Sequence, residues 1–100
     1  MAKVFLPKGT RDLMPGTMNR RLMVIRTVRE IFSRYGFEPL ETPAFERIET
    51  LTGKYGDDGE KLMFRILKRG EGGTKGQVDL ALRYDLTVPL ARVMAMNPGI

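Results

Sequence analysis

The segment Leu82-Arg83-Tyr84-Asp85-Leu86-Thr87-Val88-Pro89 carries the densest chemistry in the sequence. A strand that runs towards a buried position delivers a guanidinium, a carboxylate and a hydroxyl at the start of an apolar helix, and polar groups placed there need partners. Two readings of the pair Asp85 and Thr87 follow from chemistry alone. In one they cap the helix, because an ionised carboxylate near a helix N-terminus is stabilised by free N–H groups and by the positive dipole end. In the other they project into a pocket and accept hydrogen bonds from a ligand ammonium.

Two other stretches invite a chemical reading and fail it. Gly70-Glu71-Gly72-Gly73-Thr74-Lys75-Gly76 has the glycines and lysine of a phosphate-binding loop. Such a loop, however, places Gly-Lys before Ser or Thr at the mouth of a helix, whereas Lys75 is followed by Gly76 and a strand. A hairpin turn is the simpler reading. Asp57, Asp58 and Glu60 lack the ligand spacing of a calcium loop and read as a solvated acidic loop. No pair of carboxylates is placed face to face by sequence alone for acid and base work. No residue is therefore assigned as catalytic, and none as a metal ligand.

Composition removes further classes. The 100 residues contain no cysteine and no histidine. A disulfide scaffold, a thiolate zinc site, a cysteine nucleophile and a Ser-His-Asp triad are all excluded. The balance of 17 Lys+Arg against 12 Asp+Glu, a net +5, permits an anionic partner such as RNA or a nucleotide without demanding one. Eleven of the basic residues are arginine, yet they are spread from Arg11 to Arg92 rather than clustered, so surface solvation accounts for most of them. No run of about 18 apolar residues exists, and Met1 to Lys8 lacks the apolar core of a secretory signal. A cytoplasmic location is expected.

The elements that must position Asp85 and Thr87 come from periodicity and punctuation. Met18, Leu22, Ile25, Val28, Ile31, Phe32 and Tyr35 recur at helical spacing, with Thr17 as cap and Gly36 as stop. Phe37 to Pro43 follows as an extended segment whose two prolines restrict it to an edge or interface strand. Phe45, Ile48 and Leu51 suggest a short helix between Ala44 and Tyr55, with a loop from Tyr55 to Glu60. Phe64 and Ile66, and then Val78, Leu80 and Leu82, alternate as two half-buried strands joined by a loose glycine-rich loop, giving an antiparallel hairpin. Thr87 caps a last helix with Pro89 in its first turn and Asn97-Pro98-Gly99 as its stop. That helix is apolar nearly all round and expects cover on more than one side.

The same residues carry a family resemblance. LRYDLTVPLAR, Leu82 to Arg92, closely resembles the first histidine-binding segment of histidyl-tRNA synthetases. KGTRDLMP, Lys8 to Pro15, is similar to their amino-terminal signature. Tyr35-Gly36-Phe37 through Glu41-Thr42-Pro43 resembles motif 1 of class II aminoacyl-tRNA synthetases, a long helix leading into a strand that ends at proline and forms the dimer interface. All three stand in family order and span nearly the whole chain.

The resemblance implies an α+β fold. Residues 1–100 would be the amino-terminal portion of the class II antiparallel-sheet catalytic domain, and the full-length parent a histidine–tRNA ligase that uses ATP and Mg²⁺. That enzyme activates histidine as an adenylate and transfers it to tRNA. The resemblance further implies that Asp85 and Thr87 hold the ammonium of histidine, with Leu86 between them in the same segment, and that Gly36, Phe37 and Pro43 lie at a homodimer interface. Nothing in the chain matches motif 2, motif 3, the histidine-specific motif or the anticodon-binding domain, so the chain reads as a fragment inactive by itself. The ATP-binding arginines belong to those missing parts. The synthetase-like regulatory subunit of ATP phosphoribosyltransferase, which is not a ligase, shares the overall pattern and is the alternative.

Overall fold

The computed structural model describes residues 2–52 and 63–100, and the expected acidic loop at Asp57, Asp58 and Glu60 lies outside them. The chain forms two compact units, Met1–Leu40 and Glu41–Ile100.

The first unit is built on α1, Pro15–Arg34. The helix starts two residues before the expected Thr17 cap, because Pro15 at the first helical position has its φ preset and has no N–H to leave unsatisfied. Met14, in extended conformation, occupies the N-cap and makes no side-chain cap. The helix stops where the sequence places the stop. Gly36 takes φ +86°, its N–H donates to Ser33 O at 3.2 Å, and Phe37 N–H donates to Phe32 O at 3.2 Å. These two bonds make a Schellman end, completed by contact of the Phe32 and Phe37 rings at 5.4 Å between centroids. No residue of α1 is buried, and its apolar side, including Ile25, Val28, Ile31 and Phe32, stands open.

The second unit holds a three-stranded antiparallel sheet of β1 (Phe45–Arg47), β2 (Arg65–Leu67) and β3 (Val78–Leu82), in the order β1-β3-β2. The expected β2–β3 hairpin is present, with a register shift between Ile66 and Leu67. Its connection is more ordered than a loose loop. One helical turn, α3 (Glu71–Thr74), is packed so closely that a Cβ on Gly73 would come within 1.9 Å of Lys68 O.

Two other expectations are corrected. No strand forms over 37–43; the strand that pairs begins beyond Pro43, where N–H donors become available, and takes the edge position beside β3. The helix expected between Ala44 and Tyr55 is accordingly reduced, among the described residues, to α2 (Ile48–Thr52).

On β3 the fully buried position is Ala81, while Leu82 is 42% exposed, so the densest packing lies on the face opposite to the one its leucines mark. A small side chain suits that face because Leu51 of α2, Met63 and Val88 close directly over it, with Tyr84 packed alongside. The last helix, α4 (Thr87–Met96), buries Val88 and Pro89, whereas Leu90, Met94 and Met96 remain exposed. The cover expected around that helix is thus present on one side among the described residues.

Candidate amino-acid-binding corner

The five residues Arg83 to Thr87 form the corner between β3 and α4, and three side chains fix it. Arg83 reaches back to the segment before β1, with Nη1 at 3.0 Å from Thr42 O, 2.9 Å from Thr42 Oγ1 and 3.2 Å from Pro43 O. Its backbone N–H donates to Ala44 O at 3.0 Å, prolonging the β1–β3 pairing by one bond. The Tyr84 hydroxyl donates to Leu51 O at 2.9 Å and so ties the corner to α2 over the core. Asp85 Oδ1 accepts the Val88 N–H at 3.2 Å.

That last contact decides the capping question in part. Asp85 meets an N–H of the first turn of α4, whereas Thr87 is the first helical residue and its side chain makes no cap; Leu86 occupies the N-cap position. The capping role expected of both residues therefore belongs to Asp85 alone. The same bond leaves Asp85 half-buried at the helix N-terminus, with Thr87 and Leu86 exposed beside it. All three residues named from the sequence thus sit on one corner.

A contact that sequence reasoning missed supports α4 from below. Glu46, only 6% exposed on β1, receives Arg92 Nε at 2.8 Å, and Arg92 Nη1 lies 3.3 Å from Met96 Sδ. The two partners are far apart in sequence and no local pattern joins them; only the edge placement of β1 brings Glu46 beneath the helix. The other set of named residues divides between the two units. Gly36 and Phe37 build the Schellman end of α1, beside an open groove of about 570 Å³ lined by Val28, Phe32, Phe37, Pro39 and Leu40. Pro43 precedes β1 and gives its carbonyl to Arg83.

Comparison with known proteins bears on what this corner is for. The family model described as histidyl-tRNA synthetase matches residues 9–98. The chain belongs to the histidyl-tRNA synthetase family. The histidine–tRNA ligase of Gloeobacter violaceus is 58% identical over 91 residues, covering 88% of this chain and 20% of the relative. That of Cytophaga hutchinsonii is 47% identical over 112 residues, covering 97% and 25%. Among solved structures, the histidyl-tRNA synthetase of Nostoc sp. PCC 7120 superposes with a TM-score of 0.79 at 29% identity, covering 99% of this chain and 21% of that one. A Bacillus halodurans C protein described as an ATP phosphoribosyltransferase regulatory subunit/histidyl-tRNA synthetase gives 0.74 at 26%, covering 98% and 25%. The chain thus spans about a fifth to a quarter of the length of these histidyl-tRNA synthetase relatives. The small α+β unit with its antiparallel sheet accords with the amino-terminal region of a class II synthetase, as the family resemblance implies.

Proposed function

We propose that residues 1–100 are the amino-terminal part of the catalytic domain of a histidine–tRNA ligase, and that the corner Asp85-Leu86-Thr87 receives the ammonium group of histidine. The observation that carries this reading is the Asp85 carboxylate. It is half-buried at the N-terminus of α4, with one oxygen used by Val88 N–H, so that a second acceptor oxygen serves an incoming donor. The Thr87 hydroxyl stands two residues on, at the exposed start of the same helix, and adds a neutral acceptor; Leu86, 66% exposed, supplies apolar surface between them. A charge-assisted bond to a partly desolvated ammonium is the stronger of the two interactions.

Adenylate formation is attack of a substrate carboxylate oxygen on the α-phosphorus of ATP, which breaks the α–β phosphoanhydride bond and releases pyrophosphate. The protein's part is to hold the reactants in line and to stabilise charge, which requires no imidazole. Within this chain the task is confined to binding and orienting the amino acid. ATP, Mg²⁺ and tRNA enter as reactants and cofactor of the complete enzyme. Among the described residues no three acidic, His or Cys side chains gather into a metal site. On the same reading Gly36, Phe37 and Pro43 belong to a homodimer contact, and the enzyme works in the cytoplasm. Among the described residues no helix is long and apolar enough to cross a membrane.

The names of the curated relatives favour the ligase, and the Bacillus halodurans structure keeps the regulatory subunit as the second reading. The purified full-length protein separates them. Histidine-dependent exchange of pyrophosphate into ATP, together with charging of tRNA, is the expected result. Stimulation of an ATP phosphoribosyltransferase without either activity would assign the chain to the regulatory subunit.

A further inference from the structure

Arg83 stands two residues before Asp85, where β3 leaves the sheet. One terminal nitrogen of its guanidinium faces three oxygens, the Thr42 carbonyl, the Thr42 hydroxyl and the Pro43 carbonyl, all within 3.2 Å. These acceptors belong to a stretch outside the sheet, next to Pro43, which has no N–H of its own. A charged, planar donor group therefore satisfies backbone carbonyls that no strand pairs. Tyr84 is tied in turn, through its hydroxyl, to Leu51 O. With residue 83 fastened to the segment before β1 and residue 84 to α2, the direction in which Asp85 leaves the backbone is set from two sides.

We infer that Arg83 is a positioning residue for amino-acid binding: through its grip on Thr42 and Pro43 it fixes the corner from which Asp85 and Thr87 meet the substrate ammonium. The inference rests on the assignment of Asp85 and Thr87 to that ammonium. Arg83 acts through the backbone and has no contact with substrate in this role. All three acceptors meet Nη1 alone, so the grip needs a charged N–H donor carried to that point rather than the two-armed fork of the guanidinium. A lysine carries such a donor on a more flexible stem, so Arg83→Lys keeps part of the grip that Arg83→Met removes. A displacement of about 1 Å in such a site weakens its function by up to roughly 100-fold.

The test uses the full-length enzyme and two probes, histidine and its deamino analogue imidazole-4-propionate, which lacks the ammonium. Affinities are read by calorimetry for the first and by competition for the second. Arg83→Met should weaken histidine roughly 10- to 100-fold and Arg83→Lys by less, both changing the analogue less than about twofold. Thr42→Val, which removes one acceptor and leaves both carbonyls, should weaken histidine about two- to fivefold, again sparing the analogue. It carries the test should the Arg83 variants fail to fold. Equal losses for both probes would make Arg83 a purely structural residue and overturn the inference, as would unchanged histidine affinity. Asp85→Asn, measured alongside, separates the two claims. If it loses affinity while the Arg83 and Thr42 variants do not, only the positioning role falls. If it binds histidine as the wild type does, the ammonium site falls and the positioning role with it.

Discussion

At Asp85 the two roles that chemistry alone leaves in competition are compatible. Its Oδ1 holds the Val88 N–H at 3.2 Å, so the cap exists, and the remaining oxygen is what the proposed ammonium site uses. Asp85→Asn separates them because an amide oxygen caps about as well as a carboxylate, while the negative charge is lost. The melting temperature of the full-length enzyme should change little, by the equivalent of no more than about 1 kcal/mol from the dipole interaction. Histidine affinity should fall by roughly 1.5 to 3 kcal/mol, about 10- to 150-fold. Thr87→Val should weaken histidine by about 0.5 to 1.5 kcal/mol and leave stability nearly unchanged, since its hydroxyl makes no cap. Calorimetric titration with parallel thermal melts reads both quantities. Unchanged affinity in Asp85→Asn would leave the residue as a cap alone. The strand-to-helix junction at Asp85 and Thr87 is legible in the sequence as a local signal, and the family resemblance of that one stretch supplies the proposed ammonium role. Arg83's acceptors are not legible there, since Thr42 and Pro43 lie some forty positions away and become neighbours only when β1 pairs with β3.

The same division between local and long-range information governs the elements. The extent of α1 follows from a period of apolar residues and from Gly36, both readable in one window. Its start differs from the expected cap at Thr17 because the N-cap is Met14, a residue with no capping chemistry, and the signal is instead Pro15. The strand β1 falls where the sequence predicts helix, because three residues contain too little periodicity to choose and pairing with β3 decides. The buried face of β3 differs from the one its leucines mark for a related reason. Ala81 marks the core by being small beneath three other side chains, a property of the packed unit rather than of the alternation. Two glycines of α1 test how far backbone conformation sets its ends. Gly36 has φ +86°, so Gly36→Ala forces a side chain into the left-handed region and should destabilise by about 1 to 2 kcal/mol. Gly16 lies inside the first turn with open space about its Cβ position, so Gly16→Ala should stabilise by up to about 1 kcal/mol. Urea titration of the full-length protein, or far-ultraviolet circular dichroism of the α1 peptide, reads the sign of each. Two changes of the same sign would show that these glycines are not governed by φ.

For the molecule as a whole, the open side of α1 bears most directly on the proposed two-fold contact. The 20-residue helix has no buried residue, and its Val28 and Phe32, with the following Phe37 and Leu40, are 43 to 65% exposed around a groove, an apolar patch of the kind an interface covers. In a two-fold contact the same patch serves both subunits, so one substitution acts twice. Phe37→Glu in the full-length enzyme introduces a charge on each side of that contact and should raise the dimer dissociation constant by roughly 30- to 1000-fold, the effect of losing a central aromatic anchor. Phe37 also closes the Schellman end of α1 on Phe32, so loss of that ring contact could weaken the helix end independently. Leu40→Glu supplies the second arm, because Leu40 lines the groove without being part of the helix stop. Sedimentation equilibrium over a range of protein concentrations should show the wild type as a dimer and both variants shifted towards monomer, with the helix content of Leu40→Glu preserved. A dimer unaffected by either charge would place the two-fold contact elsewhere, and confine Gly36 and Phe37 to ending their helix.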